Sequence, residues 1–315
     1  MGDTPTNPND EAMVLDFTDR AVRLGDHLVR GTAADGMVRA IAITARQTVQ
    51  TARDNHDTSP VVTAALGRLM MAAQMMAAEF KGDDELLTLE VRGDGPVGGL
   101  TVTANNRGQV KGFANHPQVW LPLNGSGKLD VGSCVGRGTL NVVRDVPGVM
   151  PYSSQTELVS GEIGDDLALY FSLSDQIPTS VGVGVLVGPD ANVRQAGGFI
   201  VQLMPGHDPW LIDELERNLS RIASVTALLE RGLSPSGILQ VILDGLDYQE
   251  LDIMPAEFHC GCDEERARRA TLALGEAELS DMIEKGEEAE VHCHFCGKTY
   301  HLSPDELHNL LVQGA

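Results

Sequence analysis

Four of the five cysteines lie between residues 260 and 296, as Cys260-Gly261-Cys262 and Cys293-His294-Phe295-Cys296, with thirty residues between the pairs. No other feature limits the possible fold as strongly. Five cysteines in 315 residues are too sparse for a secreted disulfide scaffold. In a cytosolic chain this spacing favours metal binding or redox chemistry. Zinc takes thiolates or imidazoles at tetrahedral positions, commonly two from each of two tight turns. Cys293 to Gly297 is an ordinary half-site. Cys260-Gly261-Cys262 is narrower than usual, and Gly261 relaxes the turn.

Between the pairs, "DEERARRATLALGEAELSDMIEKG" carries helix signals, with a stop at Gly275 and a second helix running to Gly286. A unit this small buries little apolar surface, so a metal is its natural staple. The spacing favours zinc held by Cys260, Cys262, Cys293 and Cys296 together. A purely structural zinc ribbon in a binding module satisfies the same spacing. His259, His292, His294 and His301 stand near enough in sequence to replace a thiolate. Thioredoxin-like chemistry at "CHFC" lacks a surrounding βαβ pattern. The redox reading stays open beside the metal reading: thiolates are what oxidants attack, and each pair is close enough in sequence for a local disulfide. Oxidising either pair removes two ligands.

Charge sharpens the division of the chain. The net charge is -22, of which residues 206–259 carry -7 and residues 260–315 another -7. The last third therefore repels itself and needs something to tie it down. So acidic a chain also argues against a broad nucleic-acid or anionic-membrane footprint. The N-terminal stretch has no basic or apolar region of a signal peptide. "MGDTPT" matches a myristoylation pattern only formally and reads better as a loose tail. "VVTAALGRLMMAAQMMAAEF", Val61 to Phe80, is interrupted by Arg68, Gln74 and Glu79 and reads as a buried helix, not a membrane span.

The front of the chain reads as α+β. "GMVRAIAITA" is a strand, the first stretch from Met13 is ambiguous, and "RQTVQTARDNHD" and the Met-rich segment are helices. "LLTLEVRGDGPVGGLTVTANNRGQVKGFA" is a meander with turns at "GDGP" and "NNRG". "GTLNVVRD", "TSVGVGVLVG" and "AGGFIVQLMPG" are further strands, and "SGEIGDDLALYFSLSDQIPTS" a helix ending before Pro178. From residue 206 the pattern turns helical. Asp208 is a candidate cap with Pro209 first in the helix, and Leu211, Leu215, Leu219 and Ile222 mark one face. Ser234, Pro235 and Gly245 bracket another helix, and "DYQELDIMPAEF" shows little periodicity. The expected organisation is a disordered tail over 1–10, a mixed sheet-and-helix core domain over 11–205, a helical linker over 206–255 and a small zinc-binding domain over 256–315.

Other motifs have ordinary readings. Cys134 lies in a strand-like run as a small buried thiol. "NGSGKLD" lacks the spacing of a nucleotide loop, and Gly182, Gly184 and Gly188 are strand glycines, since no helix follows. Met70, Met71, Met75 and Met76 read as core more readily than as an adaptable surface. Nothing resembles a Ser/His/Asp set.

The C-x-C and C-x-x-C pairs, their separation and their place at the C-terminus resemble the redox-regulated 33-kDa heat-shock chaperone family. So do "FHCGCDEERARRATLALGEAELSDMIEKGEEAEVHCHFCGKTYHLSPDEL" and, earlier, "GDGPVGGLTV", "VGRGTLNVV" and "LALYFSLSDQIPT". The common family form "SEQxPT" stands here as "SDQIPT", Ser174 to Thr179. The resemblance implies a cytoplasmic, ATP-independent chaperone and no enzyme. It implies one zinc ion on Cys260, Cys262, Cys293 and Cys296 in a reduced, inactive state. Oxidation would form Cys260–Cys262 and Cys293–Cys296 disulfides, expel zinc and unfold the C-terminal domain and linker. Unfolding client proteins would then bind the exposed apolar surface, and a reduced monomer would become a homodimer.

Overall fold

The computed structural model describes residues 25–82 and 84–314. The tail over 1–10, the formal myristoylation pattern and the beginning of the ambiguous stretch lie outside the described residues. The described chain forms two compact units, divided between Phe258 and His259.

The first unit opens with strands β1 (His27–Ala33) and β2 (Val38–Thr44), followed by helix α1 (Arg46–His56). Ala45 has no side-chain oxygen to cap α1. Asp26 supplies one from outside, accepting from the Thr48 amide at 2.7 Å. Helix α2 (Pro60–Ala77) starts after Ser59, with proline in its first turn, where the missing amide is no loss. It is the one helix among the described residues that is long and apolar enough to cross a membrane, yet 83% of it is buried inside the protein. Met70, Met71 and Met75 are fully enclosed and Met76 packs beside them, so the methionine run is core.

Strands β3 (Leu86–Gly93), β4 (Leu100–Asn105) and β5 (Gln109–Ala114) form the expected antiparallel meander. The Asn105 carboxamide closes the "NNRG" turn by accepting from the Arg107 and Gln109 amides. Asn124 makes a similar turn at "NGSGK", accepting from the Ser126 and Lys128 amides. Cys134 does not lie in a strand. It sits on the short helix α3 (Val131–Val135), which Asp130 caps through the Ser133 amide. The apolar alternation that suggested a strand there is too short to distinguish the two.

Strand β6 (Gly138–Asp145) was legible, whereas its partner β7 (Tyr152–Glu157) was not, because β7 is a polar edge strand. Helix α4 (Gly164–Tyr170) runs into a π turn over Phe171–Asp175, and Gln176 then takes φ +55 before Pro178. Strands β8 (Thr179–Val187) and β9 (Val193–Leu203) follow, and Gly182 and Gly184 are strand glycines.

Three helices come next: α5 (Trp210–Ser220), α6 (Val225–Glu230) and α7 (Pro235–Ile242). Pro209, not Asp208, occupies the cap position of α5, and no side chain caps it. Ser234 caps α7 as expected. The chain then extends again as β10 (Gln249–Pro255) and β11 (Glu257–Phe258). The stretch 249–255, expected to belong to a helical linker, is a strand. Its pairing is set by β1, far away in sequence, and not by local periodicity.

Two sheets result. One has the order β10-β1-β2-β9-β8, the other β11-β5-β4-β3-β6-β7. Helix α2 touches β8 and β9 of the first and β3, β4 and β5 of the second, so the main core lies around it. Helices α5 to α7 bury Leu211, Leu215, Leu228, Leu229, Leu239 and Ile242 against the outer face of the first sheet. Leu219 and Ile222 pack at the margin of this second cluster. Two polar fasteners hold these elements, the first on the α2 side of the sheet and the second among the covering helices. The Arg30 guanidinium donates to both Asp252 oxygens at 2.8 and 2.6 Å, tying β10 to β1. The buried Asn218 side chain donates to the Ile242 and Asp244 carbonyls, tying α5 to the end of α7.

The second unit holds α8 (Glu264–Leu272), α9 (Glu276–Lys285), the hairpin β12 (Ala289–His292) and β13 (Thr299–Leu302), and α10 (Pro304–Gly314). Gly275 and Gly286 take positive φ at the helix boundaries where the sequence placed stops.

Asn218→Ala takes this donor from the buried Ile242 carbonyl and from the more exposed Asp244 carbonyl. The expected cost is about 1–3 kcal/mol, read by urea unfolding, with faster amide exchange in α5 and α7 than in β3 and β4.

Candidate metal centre

Each half of the cysteine cluster is shaped by local hydrogen bonds. Residues 293–298 form the tip of the β12–β13 hairpin, whose last pair is His292 with Thr299. Within the tip the Cys293 amide donates to the Lys298 carbonyl at 2.9 Å, and the Gly297 amide to the Cys293 carbonyl at 2.9 Å. Gly297 takes φ +71, a left-handed conformation that a Cβ would strain. The turn also aims the Lys298 amide at the Cys296 sulfur. The other half leads into α8. Asp263 caps that helix through the Arg266 amide at 2.7 Å, which fixes where the chain leaves Cys262. The Cys262 amide points at the Cys260 sulfur.

These two turns bring all four sulfurs within 4.8 Å of one another. The closest contacts cross between the halves: Cys260 to Cys293 at 3.6 Å and Cys262 to Cys296 at 3.3 Å. A tetrahedral zinc–thiolate site with bonds of about 2.3 Å has sulfur edges of about 3.8 Å. The cluster is close to that size, and all four cysteines are free thiols. Four soft donors at this separation fit a zinc-sized ion. No histidine joins the cluster among the described residues. His292 meets Thr299 and the His294 ring, and His301 faces Glu288.

The thiols are not equivalent. Burial opposes ionisation of Cys262, but the Tyr300 hydroxyl, which donates to its sulfur at 3.3 Å, and the adjoining thiols outweigh it and bring Cys262 down to about 7. Burial, then the neighbouring sulfurs, push Cys296 up to about 12. Burial raises Cys260 also. Tyr300 was not singled out in the sequence; its position across the hairpin from the cysteine tip is the only signal it gives.

Little else holds this unit. Among its described residues only Leu279, Ala289, Leu302 and Leu307 form a buried apolar cluster. Such a core is marginal for an independent fold, so bonds at the sulfurs matter to its stability. Cys134 belongs elsewhere: it is buried in the first unit, and that burial, then Asp130, pushes its thiol up to about 11.

A mixed two-sheet α+β unit followed by a small unit built on a four-thiol cluster defines a chain with a metal-fitting C-terminal module. The family model described as Hsp33 protein matches residues 26–303. The protein named 33 kDa chaperonin from Agathobacter rectalis is 49% identical over 284 residues, spanning 90% of this chain and 99% of that protein. Its namesake from Bacillus subtilis is 45% identical over 289 residues, spanning 91% and 99%. The crystal structure of the 33 kDa chaperonin (heat shock protein 33 homolog) from Thermotoga maritima matches with a TM-score of 0.85 and 34% identity, over 92% of this chain and 98% of that one. The chain belongs to the Hsp33 family of chaperones.

In the reduced, metal-free chain, iodoacetamide labelling of Cys262 should rise through pH 7, because the thiolate is the reacting form and predominates above the pKa. Cys296 should label only at much higher pH. Tyr300→Phe removes the donor and should move the Cys262 midpoint upward; an unmoved midpoint would show that Tyr300 does not set it.

Proposed function

We propose that the protein is a redox-switched, ATP-independent holdase that keeps unfolding proteins from aggregating under oxidative stress, in the cytoplasm. The observation that carries the reading is the four-thiol cluster in a unit whose own buried core is so small. Zinc on Cys260, Cys262, Cys293 and Cys296 would hold the sulfurs as thiolates and contribute folding free energy to the unit. The reduced state is then the folded, inactive one.

Oxidation chemistry acts on the same atoms. A thiolate attacks peroxide, becomes a sulfenic acid and releases one water. A second thiol displaces the sulfenic oxygen as another water, leaving a disulfide. Two thiols and one peroxide thus yield one disulfide and two waters. Cys260–Cys262 and Cys293–Cys296 are the pairs proposed, following the family resemblance. The closest reduced contacts cross between the halves, so local pairing requires the cluster to come apart. Either disulfide consumes two donors and leaves the site unable to retain a metal.

The first unit supplies what such a switch would release. Helices α5 to α7 cover an apolar sheet face, and both sides of that contact are apolar. The segment 206–259 also carries a net charge of -7, which favours its departure once the packing loosens. Exposed together, the two faces would offer unfolding clients an adaptable apolar surface, and a second copy of the chain a dimer contact.

Hypochlorite treatment of the zinc-loaded chain should release zinc and confer suppression of client aggregation together, with peptide mapping finding the two local disulfides. Zinc release without suppression would sink the holdase reading, and crossed disulfides the pairing. Persistence of zinc under thiol oxidation would favour a purely structural zinc ribbon instead. Cys293→Ser should abolish regulation, whereas Cys134→Ser should leave zinc content and switching unchanged.

A further inference from the structure

Where α2 ends, a cavity of about 330 Å³ opens between the two sheets of the first unit. Ile41 and Ile200 line it from β2 and β9, Leu87 and Val142 from β3 and β6, and Met75 and Met76 from the helix. Phe80 is partly buried beside them. Tyr170 and Phe171, both buried, wall it at the end of α4 and the start of the π turn. Tyr152 of β7 and Asp175 of the π turn are exposed and stand at its opening. A chamber of this size, apolar inside with a few polar groups at the rim, suits one small molecule.

The rim is held in shape by its own bonds. The Arg39 guanidinium donates to the Glu79 carboxylate at 2.8 Å and to the Gln202 side-chain carbonyl at 2.6 Å. Arg144 donates to Glu85 at 2.9 and 2.5 Å and lies over the Phe80 ring. The Ser154 and Ser174 hydroxyls share a hydrogen bond of 2.8 Å, which ties β7 to the π turn. A π turn is uncommon backbone that recurs at functional sites. Here the Gln176 amide closes it on the Phe171 carbonyl, from a residue at φ +55 that few side chains adopt.

Both cations of the rim are matched by acids, but Asp175 is not matched by a cation. Arg39 acts on it only from a distance, and the Tyr170 hydroxyl is directed at its carboxylate. Two carboxylate oxygens can accept several donors, so acceptor positions remain. Loss of water on the inner side raises the Asp175 carboxyl above the usual carboxylate range, and neither Tyr170 nor Arg39 offsets this.

We infer that the cavity binds a small organic ammonium ion with an apolar body of a single ring, its charge on Asp175 and its body among Met76, Phe80 and Tyr170. An unmatched carboxylate beside aromatic rings calls for a cation, which gains from the rings as well as from the acid. An anion would meet guanidinium groups already committed to Glu79 and Glu85. The site goes beyond the holdase reading and does not rest on it. It lies on the inner side of the first sheet and uses none of the apolar face that α5 to α7 cover.

The test titrates the full reduced chain with phenethylammonium and follows backbone amides by NMR. Binding should saturate and shift the amides of Phe80, Tyr170, Phe171 and Asp175 while leaving those of the second unit in place. 2-Phenylethanol and 3-phenylpropionate replace the ammonium by a hydroxyl and a carboxylate, and each should bind about tenfold more weakly or worse, the scale of a lost charge-assisted hydrogen bond. Asp175→Asn, at an exposed position, should weaken the ammonium about tenfold as well. Asp213→Asn removes an equal charge from the exposed side of α5, outside the cavity, and should leave the affinity unchanged. The ligand series needs no variant, so it decides the matter even if Asp175→Asn folds poorly. Absence of saturable binding, or shifts confined to other residues, overturns the inference. So does an affinity for the alcohol or the carboxylate equal to that for the ammonium, or undiminished binding by a folded Asp175→Asn chain. Aggregation suppression by the oxidised chain is read in a separate assay, so failure of the holdase reading leaves the ammonium site standing, and the reverse.

Discussion

A helix that is apolar on every side cannot lie on a surface, and α2 is such a helix. Its only stable place is between two layers. Both sheets of the first unit make contact with it, and the main core is built around Leu66, Leu69, Met70, Met71 and Met75. The order of the strands follows from that demand. The meander β3 to β5 covers one side, and β2, β9 and β8 cover another. With the inner face of the first sheet committed to α2, its outer face needs cover of its own, which α5 to α7 provide.

The second unit is held by different physics. It has few buried apolar groups and many acids, and its organisation converges on four sulfurs. Hydrogen bonds within the two turns place the donors, and Tyr300 adjusts one of them. The thiols therefore ionise unequally although their sulfurs are nearly in contact. Folding of the unit and the chemistry of its cysteines are the same question.

Most of the fold was legible wherever a segment buries one face or all of itself. Helices α1, α2 and α7 and strands β2 to β6, β8 and β9 announce themselves by apolar pattern and by turn residues. The cysteine cluster was legible because its spacing carries its geometry. What was missed is what distant residues decide. Strand β7 is polar and pairs at an edge, so nothing local marks it. Strand β10 depends on β1 and on Arg30 reaching Asp252. Cys134 stands in a run too short to separate a helical turn from a strand. The Asp208 side chain does not cap α5; its backbone carbonyl takes the Leu211 amide instead, and Pro209 holds the cap position. Tyr300 gains its role only when the hairpin closes.

The return of the chain as β10 has a further consequence. Helices α5 to α7 leave from β9 and come back to β10, so their two ends are moored in the same sheet that they cover. A cover moored at both ends is its own competitor. Any ligand for the sheet face meets it at an effective concentration on the order of millimolar. The closed loop also limits the entropy gained by letting go. Occupancy of that face is therefore a contest with a built-in rival, and when a ligand departs the rival is already in place.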